Sequence, residues 1–247
     1  MLLLPGNSMD LIKPLKLSHR EPIAQGAQKL VFRHPEDPRV LVKVVNPRFI
    51  ERRARRDRFY QKRRRIGHHR AFARELIEQL VSRAGHAGRS GTCPHIQNIL
   101  GIVDTDMGTA LLVEAVLDED GALAPTLRDL IREKRFGADH RAALETFIDW
   151  VLASNVLIND LSADNLAWHP DGHFVMIDGL GDRAGIPVRS HSRMLNRLYK
   201  RKKIDRLLQE VPGHEKPAPI RTKLAIALAI LMALLGLIAT QLELLLD

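Results

Sequence analysis

Between Val156 and Gly181 the chain reads V-L-I-N-D-L-S-A-D-N-L-A-W-H-P-D-G-H-F-V-M-I-D-G-L-G, an order of residues for which few folds have a use. Asp160 and Asn165 stand five apart on what reads as a loop. Asp178 follows thirteen residues after Asn165, at the end of a short apolar run from Phe174 to Ile177. A base-like carboxylate, a neutral amide and a second carboxylate at these spacings suit a site that holds Mg²⁺ and a triphosphate. Mg²⁺ takes one or two protein oxygens and completes its shell with phosphate oxygens and water. Singly, Asp160 and Asn165 could equally cap a turn or helix, and Asp178-Gly179 could be a plain turn.

The upstream sequence separates these alternatives. Lys29 to His34 and Arg39 to Val45 read as two strands around a turn rich in Pro and Asp. The second, R-V-L-V-K-V-V, sets Lys43 alone among β-branched and apolar neighbours. A buried strand does not accept a bare ammonium cheaply, so Lys43 requires a partner unless it points to water from an edge strand. Gly26 is the one glycine just before it, so there is no G-x-G-x-x-G. Ala71 to Ala84 reads as an amphipathic helix with Phe72, Leu76 and Leu80 at apolar positions, and it carries Glu75 and Glu78, either of which could face inward. Strands are expected over 96–103 and 109–116, an acidic linker over 114–125, and helices over 126–135 and 139–154.

The formal net charge of +9 calls for anionic partners, and charge alone does not choose among nucleic acid, membrane and phosphate. The most basic segment, 47–70, has few breakers before Gly67 and reads as a helix, or as an insertion that orders on an anionic surface; the plain alternative is a solvated helix. No nucleic-acid module accompanies it, and sequence-specific nucleic-acid binding is not expected. A second basic helix is expected over 189–210, followed by a break over 211–219. One cysteine, Cys93, allows no internal disulfide and points to a reducing compartment.

At the amino terminus, Leu2 to Leu4 is too short for the core of a secretory signal, and 1–17 reads as a weakly ordered leader. At the other end, Leu224 to Ala239 is apolar on every face. Carried on to Leu242, such a helix spans about 28 Å at ~1.5 Å per residue, against roughly 30 Å of bilayer hydrocarbon. Lys216, Arg221 and Lys223 on its amino-terminal flank place the preceding chain on the cytoplasmic face, with 224–242 as a single-span anchor. The alternatives are a buried helix that completes the carboxyl-terminal lobe and a soluble cytoplasmic protein. With such an anchor, the basic segments 48–70 and 193–203 would lie against anionic lipid head groups.

Taken in order, strand-turn-strand with Lys43, a helix with Glu75 or Glu78, two strands, a linker, helices, D-x-x-x-x-N, a strand and D-G resemble the protein-kinase-like superfamily. More narrowly, the chain over about Glu21 to Asp182 resembles the YrbL-like family of bacterial proteins, the PhoP regulatory network group. The resemblance implies an α+β fold of two lobes: 18–117 as the amino-terminal lobe with a basic insertion over 47–70, and 118–210 as a reduced carboxyl-terminal lobe, followed by linker 211–223 and the hydrophobic helix. It implies ATP and Mg²⁺, with Lys43 on the α- and β-phosphates, Glu75 (Glu78 second) as its ion-pair partner, and Gly26 as the remnant of the glycine-rich loop. Asp160 then matches the residue that accepts the proton of an acceptor hydroxyl, and Asn165 and Asp178 match the two metal ligands.

Departures from the kinase pattern bear on the substrate. Ile158-Asn159 precede Asp160 in place of His-Arg, Ser162 stands where protein kinases often have lysine, and Asp178 is followed directly by Gly179 with no phenylalanine between. These departures favour a hydroxyl on a small molecule, lipid or saccharide over one on a protein. A non-enzymatic regulatory or scaffolding module at the membrane is the alternative. A nucleic-acid-binding protein would rest on charge alone.

Overall fold

The computed structural model describes residues 14–56, 67–84, 93–182 and 188–214. Packing divides the chain into two compact units. The first runs up to Leu76 and takes in Gln97–Leu117; the second takes Ile77–Ile96 and the chain from Asp118. The contiguous 18–117 lobe expected from sequence therefore gives up 77–96 to the second unit. Both units together make an α+β protein built on an antiparallel sheet and helices.

The described part of the first unit is built on a five-stranded antiparallel sheet in the order β1 (Ala24–Gln25), β2 (Lys29–Arg33), β3 (Val40–Val45), β5 (Gly108–Glu114), β4 (Ile99–Thr105). Alternation along the strands buries both faces. Leu30, Phe32, Val42, Val44 and Ala110 pack with Leu17 on one face. On the other, Val31, Leu41, Val45 and Leu111 meet Phe49 and Ile50 of helix α1 (Pro47–Arg56), and Phe72 and Leu76 of helix α2 (Arg70–Ala84). Each such side chain contributes roughly 1.5–3 kcal/mol on burial. Two buried faces explain why β3 reads as a nearly unbroken apolar run.

Three expectations change here. Leu17 is fully buried, its N–H donates to Asp106 Oδ1 at 2.8 Å, and Leu15 bridges to Thr105, so the chain expected to be a leader through Leu17 is packed from Leu15. Residues 1–13 of that segment lie outside the described residues. Among the described residues of the basic segment, Pro47–Arg56 is helix, with Pro47 at the first position and Asn46 Oδ1 accepting from Arg48 N–H at 3.0 Å, and Gly67–His69 is a separate 3-10 turn; 57–66 lie outside the described residues. Leu80 of α2 is exposed, because the helix turns Phe72, Glu75, Glu78, Gln79 and Ser82 inward, a face with more polar than apolar residues.

The second unit packs α3 (Leu127–Arg132), capped by a reciprocal Thr126–Asp129 box, and α4 (Ala138–Ala153) against a hairpin of β6 (Leu166–His169) and β7 (His173–Met176). Leu130, Phe147, Phe174 and Leu207 lie at the centre of its core. The single basic helix expected over 189–210 is two: α5 (Val188–His191) and α6 (Arg193–Leu208). Ser192 makes the break by capping α6, its side chain accepting from Leu195 N–H at 3.3 Å. Among the described residues no helix is long and apolar enough to cross a membrane. The run 224–242, on which the expected anchor rests, lies outside the described residues.

Candidate active site

In the first unit, strand register fixes the surroundings of Lys43. Lys43 pairs with Val31 on one side and Leu111 on the other, so it shares a sheet face with Val31 and, two residues earlier, with Lys29. That face is the one packed by α2. Glu75, on α2, meets both ammonium groups: Lys43 Nζ lies 3.5 Å from Oε2, and Lys29 Nζ bonds Oε1. Lys29, Lys43 and Glu75 are 8%, 5% and 4% exposed, so one carboxylate answers two buried cations. Lys29 was not singled out from sequence, because its alignment with Lys43 appears only once β2 and β3 are paired. Gly26 closes the β1–β2 turn, its N–H donating to Lys29 O at 2.9 Å, and Asn46 Nδ2 donates to Gly26 O at 3.1 Å.

In the second unit, Asp160, Asn165 and Asp178 are drawn together by backbone. Ile158 bridges to Leu180, and the N–H groups of Asn159 and Asp160 both donate to Gly179 O, at 2.8 and 3.0 Å. Gly179 has φ +92°, and a Cβ there would collide with Asp160 O. Asn165 Nδ2 donates to Asp160 O at 3.2 Å and Ile177 N–H donates to Asn165 O at 2.9 Å. Asp178 Oδ1 accepts from Gly179 N–H at 2.5 Å. Asp160 is exposed, while Asn165 and Asp178 are half-buried. With its amide nitrogen turned to Asp160 O, Asn165 keeps its amide oxygen as an acceptor.

The segment leading into Asp160 is held by side chains whose role the sequence did not show. Glu78, the second candidate partner for Lys43, instead accepts from Leu157 N–H at 2.6 Å. Arg189 donates to Ile158 O at 3.1 Å, forks onto Asp182 and stacks 4.8 Å from the centre of the Tyr199 ring. Asn196 Nδ2 reaches the carbonyls of Asn155 and Val156, each at 3.3 Å. Lys200, 1% exposed, donates to Val151 O at 2.6 Å, Ser154 O at 2.7 Å and Ser154 Oγ at 3.1 Å. Its ammonium thus caps the carboxyl-terminal carbonyls of α4. Of the 193–203 segment expected to lie against lipid head groups, Lys200 is buried and so not available to them, while Arg193, Arg197 and Arg201 are exposed. One signal was present: Asn196, Lys200, Ile204 and Leu207 form a single helical stripe, and a lysine inside it is a buried lysine.

Burial pushes the Glu78 carboxyl up to about 7, against the Leu157 N–H and the charge of Lys200. Burial likewise brings the Lys200 ammonium down to about 8, with Glu78 opposing. Lys203, half-buried one turn further along α6, is lowered by burial while the charge of Asp160 raises it. Lys203 is thus a cation on α6 that feels the charge of Asp160, in a chain with Ser162 two residues after Asp160.

Among the described residues no three His, Cys, Asp or Glu side chains are grouped to hold a metal. Asn165 and Asp178 offer an amide and a carboxylate oxygen, a donor set suited to a Mg²⁺ that arrives with a polyphosphate and unsuited to a resident all-protein cage.

The profile of the family described as PhoP regulatory network protein YrbL matches residues 15–212, and the chain belongs to that family. The chain is 24% identical over 201 residues to the Escherichia coli (strain K12) protein called Uncharacterized protein YrbL, covering 76% of this chain and 85% of that protein. The Shigella flexneri protein of the same description matches at the same identity and coverage. Among solved structures, the chain is similar to one described as PpkA-294 apo form, with 15% identity and a TM-score of 0.45, over 80% of this chain and 75% of that one. At that score the likeness carries no argument.

Proposed function

We propose that this chain is a kinase-like phosphotransferase that moves the γ-phosphoryl group of ATP to a hydroxyl acceptor on a small molecule, lipid or saccharide. The observation that carries the proposal is the hydrogen-bonded gathering of Asp160, Asn165 and Asp178 around Gly179. Phosphoryl transfer needs positioning and charge neutralisation more than covalent help from the protein. In this proposal Asp160, the exposed carboxylate, accepts the proton of the acceptor hydroxyl. Asn165 and Asp178 hold Mg²⁺, which when bound with the nucleotide neutralises phosphate oxygens. Lys43, kept in place by Glu75, neutralises the α- and β-phosphates, and the Gly26 turn covers them. Ile158-Asn159, Ser162 and the Asp178-Gly179 junction favour a non-protein acceptor. The apolar run 224–242 and its basic flank support action at the cytoplasmic face of a membrane.

One observation favours a second function, a kinase-fold regulatory or scaffolding module without catalysis. Lys29 occupies Glu75 Oε1 directly, so the carboxylate that would orient Lys43 is shared. The two separate on the product. Purified chain is incubated with ATP, Mg²⁺ and pools of hydroxyl-bearing small molecules, lipids and saccharides, and ³¹P spectra are searched for a new phosphate ester. A new ester supports the enzyme. Nucleotide bound with no ester and no turnover supports the module.

A further inference from the structure

The first unit carries an open cleft of about 840 Å³, lined by the Gln25–Ala27 turn, Asn46 and the outward face of α1. On that face Arg48, Arg52 and Arg55 follow at i, i+4 and i+7, which sets three guanidinium groups on one side of the helix over about 10 Å. Among the described residues Glu51 is the one carboxylate in the lining. Among the described residues none of the three arginine side chains is paired with a carboxylate. The floor is fixed. Asn46, 4% exposed, holds Gly26 O and Arg48 N–H, while Arg52 donates from Nε to Arg48 O at 3.1 Å and from Nη2 to Ala27 O at 3.4 Å. Among the described residues nothing engages the remaining N–H groups of Arg52 or the forks of Arg48 and Arg55.

Arginine forks match phosphate oxygens in pairs. The three side chains are exposed, so a single charge would be screened by salt over about 8–10 Å, and only a ligand that meets several forks at once gains much. We infer that this cleft is a binding site for a ligand carrying two or more linked phosphate groups, taken from solution as a polyphosphate ester or from a membrane as a lipid head group. Lys43 and Glu75 do not line it. Gly26, which covers the nucleotide phosphates in the proposed function, does line it, so the cleft is told apart from that site by its arginines.

The test uses the full chain, with sodium tripolyphosphate in calorimetry and phosphatidylcholine vesicles with and without cardiolipin in co-sedimentation. Arg48→Gln/Arg55→Gln removes two forks while leaving the hydrogen bonds of Arg52 in place, and should weaken tripolyphosphate binding by about tenfold or more. Arg197→Gln/Arg201→Gln removes the same charge from exposed positions on α6 and should change it little. Binding of tripolyphosphate without co-sedimentation identifies a soluble ligand. Cardiolipin-dependent co-sedimentation that is lost in Arg48→Gln/Arg55→Gln identifies a head group. Equal weakening in the two double variants, or no binding of either probe by the wild-type chain, overturns the inference.

Discussion

Gly179 and Asp160 are locked together: Gly179 O accepts the Asp160 N–H, and the Cα of Gly179 lies so close to Asp160 O that no Cβ could be added. One glycine thereby sets the position of the exposed carboxylate and, through its own N–H, that of Asp178 Oδ1. Gly179→Ala should cost on the order of 2–3 kcal/mol, from a left-handed φ and a backbone collision that no side-chain rotation relieves. Urea unfolding measures it, and a loss below about 0.5 kcal/mol would show the contact to be loose.

Glu75 answers two buried ammonium groups, so its loss should cost more than the loss of either lysine. Glu75→Gln removes the carboxylate that both buried ammonium groups meet and is expected to lose about 3–5 kcal/mol. Lys43→Met leaves Lys29 paired and should lose clearly less. Denaturation midpoints of the two variants, compared at one pH, check the order; the reverse order would mean that Lys29 does not share the carboxylate.

The Glu78 carboxyl is raised from 4.5 to about 7 in the folded chain. Between those values the folded chain holds a proton that the unfolded chain has released, so this group's contribution to stability falls as pH rises from about 4.5 to 7. Lys200 is lowered from 10.5 to about 8, so over that window the folded chain has lost a proton that the unfolded chain keeps, and stability rises with pH. Glu78→Gln keeps an acceptor for Leu157 N–H and removes the first limb. It should flatten the stability profile between pH 4.5 and 7 and gain on the order of 1–3 kcal/mol at pH 8. Parallel profiles for variant and wild type would contradict this account of Glu78.

For the carboxyl-terminal run the expected result is release. On the proposed membrane action, the full chain should pellet with membranes on cell fractionation and a chain ended before Leu224 should not. A shortened chain that still pellets rules out the run as the sole anchor.

The sheet was legible because β3 is a β-branched apolar run that Lys43 alone interrupts, and because the turns around Asp37 and Asp106 carry ordinary turn residues. The spacing of Asp160, Asn165 and Asp178 was legible as chemistry. What tied them together was not, since the closure depends on where Gly179 O points. β6 was missed although Pro170-Asp171-Gly172 signals a turn, because only the run from Phe174 was read as a strand. Lys29 and Lys200 were missed for a shared reason. A lysine's charge argues for exposure, and only the pairing of β2 with β3, or the stripe of α6, shows that its ammonium is buried against oxygen acceptors.

The most direct measurement compares Mg²⁺-dependent ATP binding and ATP turnover in the wild-type chain, Asp178→Ala and Asp160→Ala. The proposed function predicts that Asp178→Ala loses nucleotide binding, because a metal ligand is gone. Asp160→Ala should keep binding and lose turnover by about 10²-fold or more, because only the proton acceptor is gone. Equal and negligible turnover in all three proteins, with binding indifferent to Asp178, would contradict it.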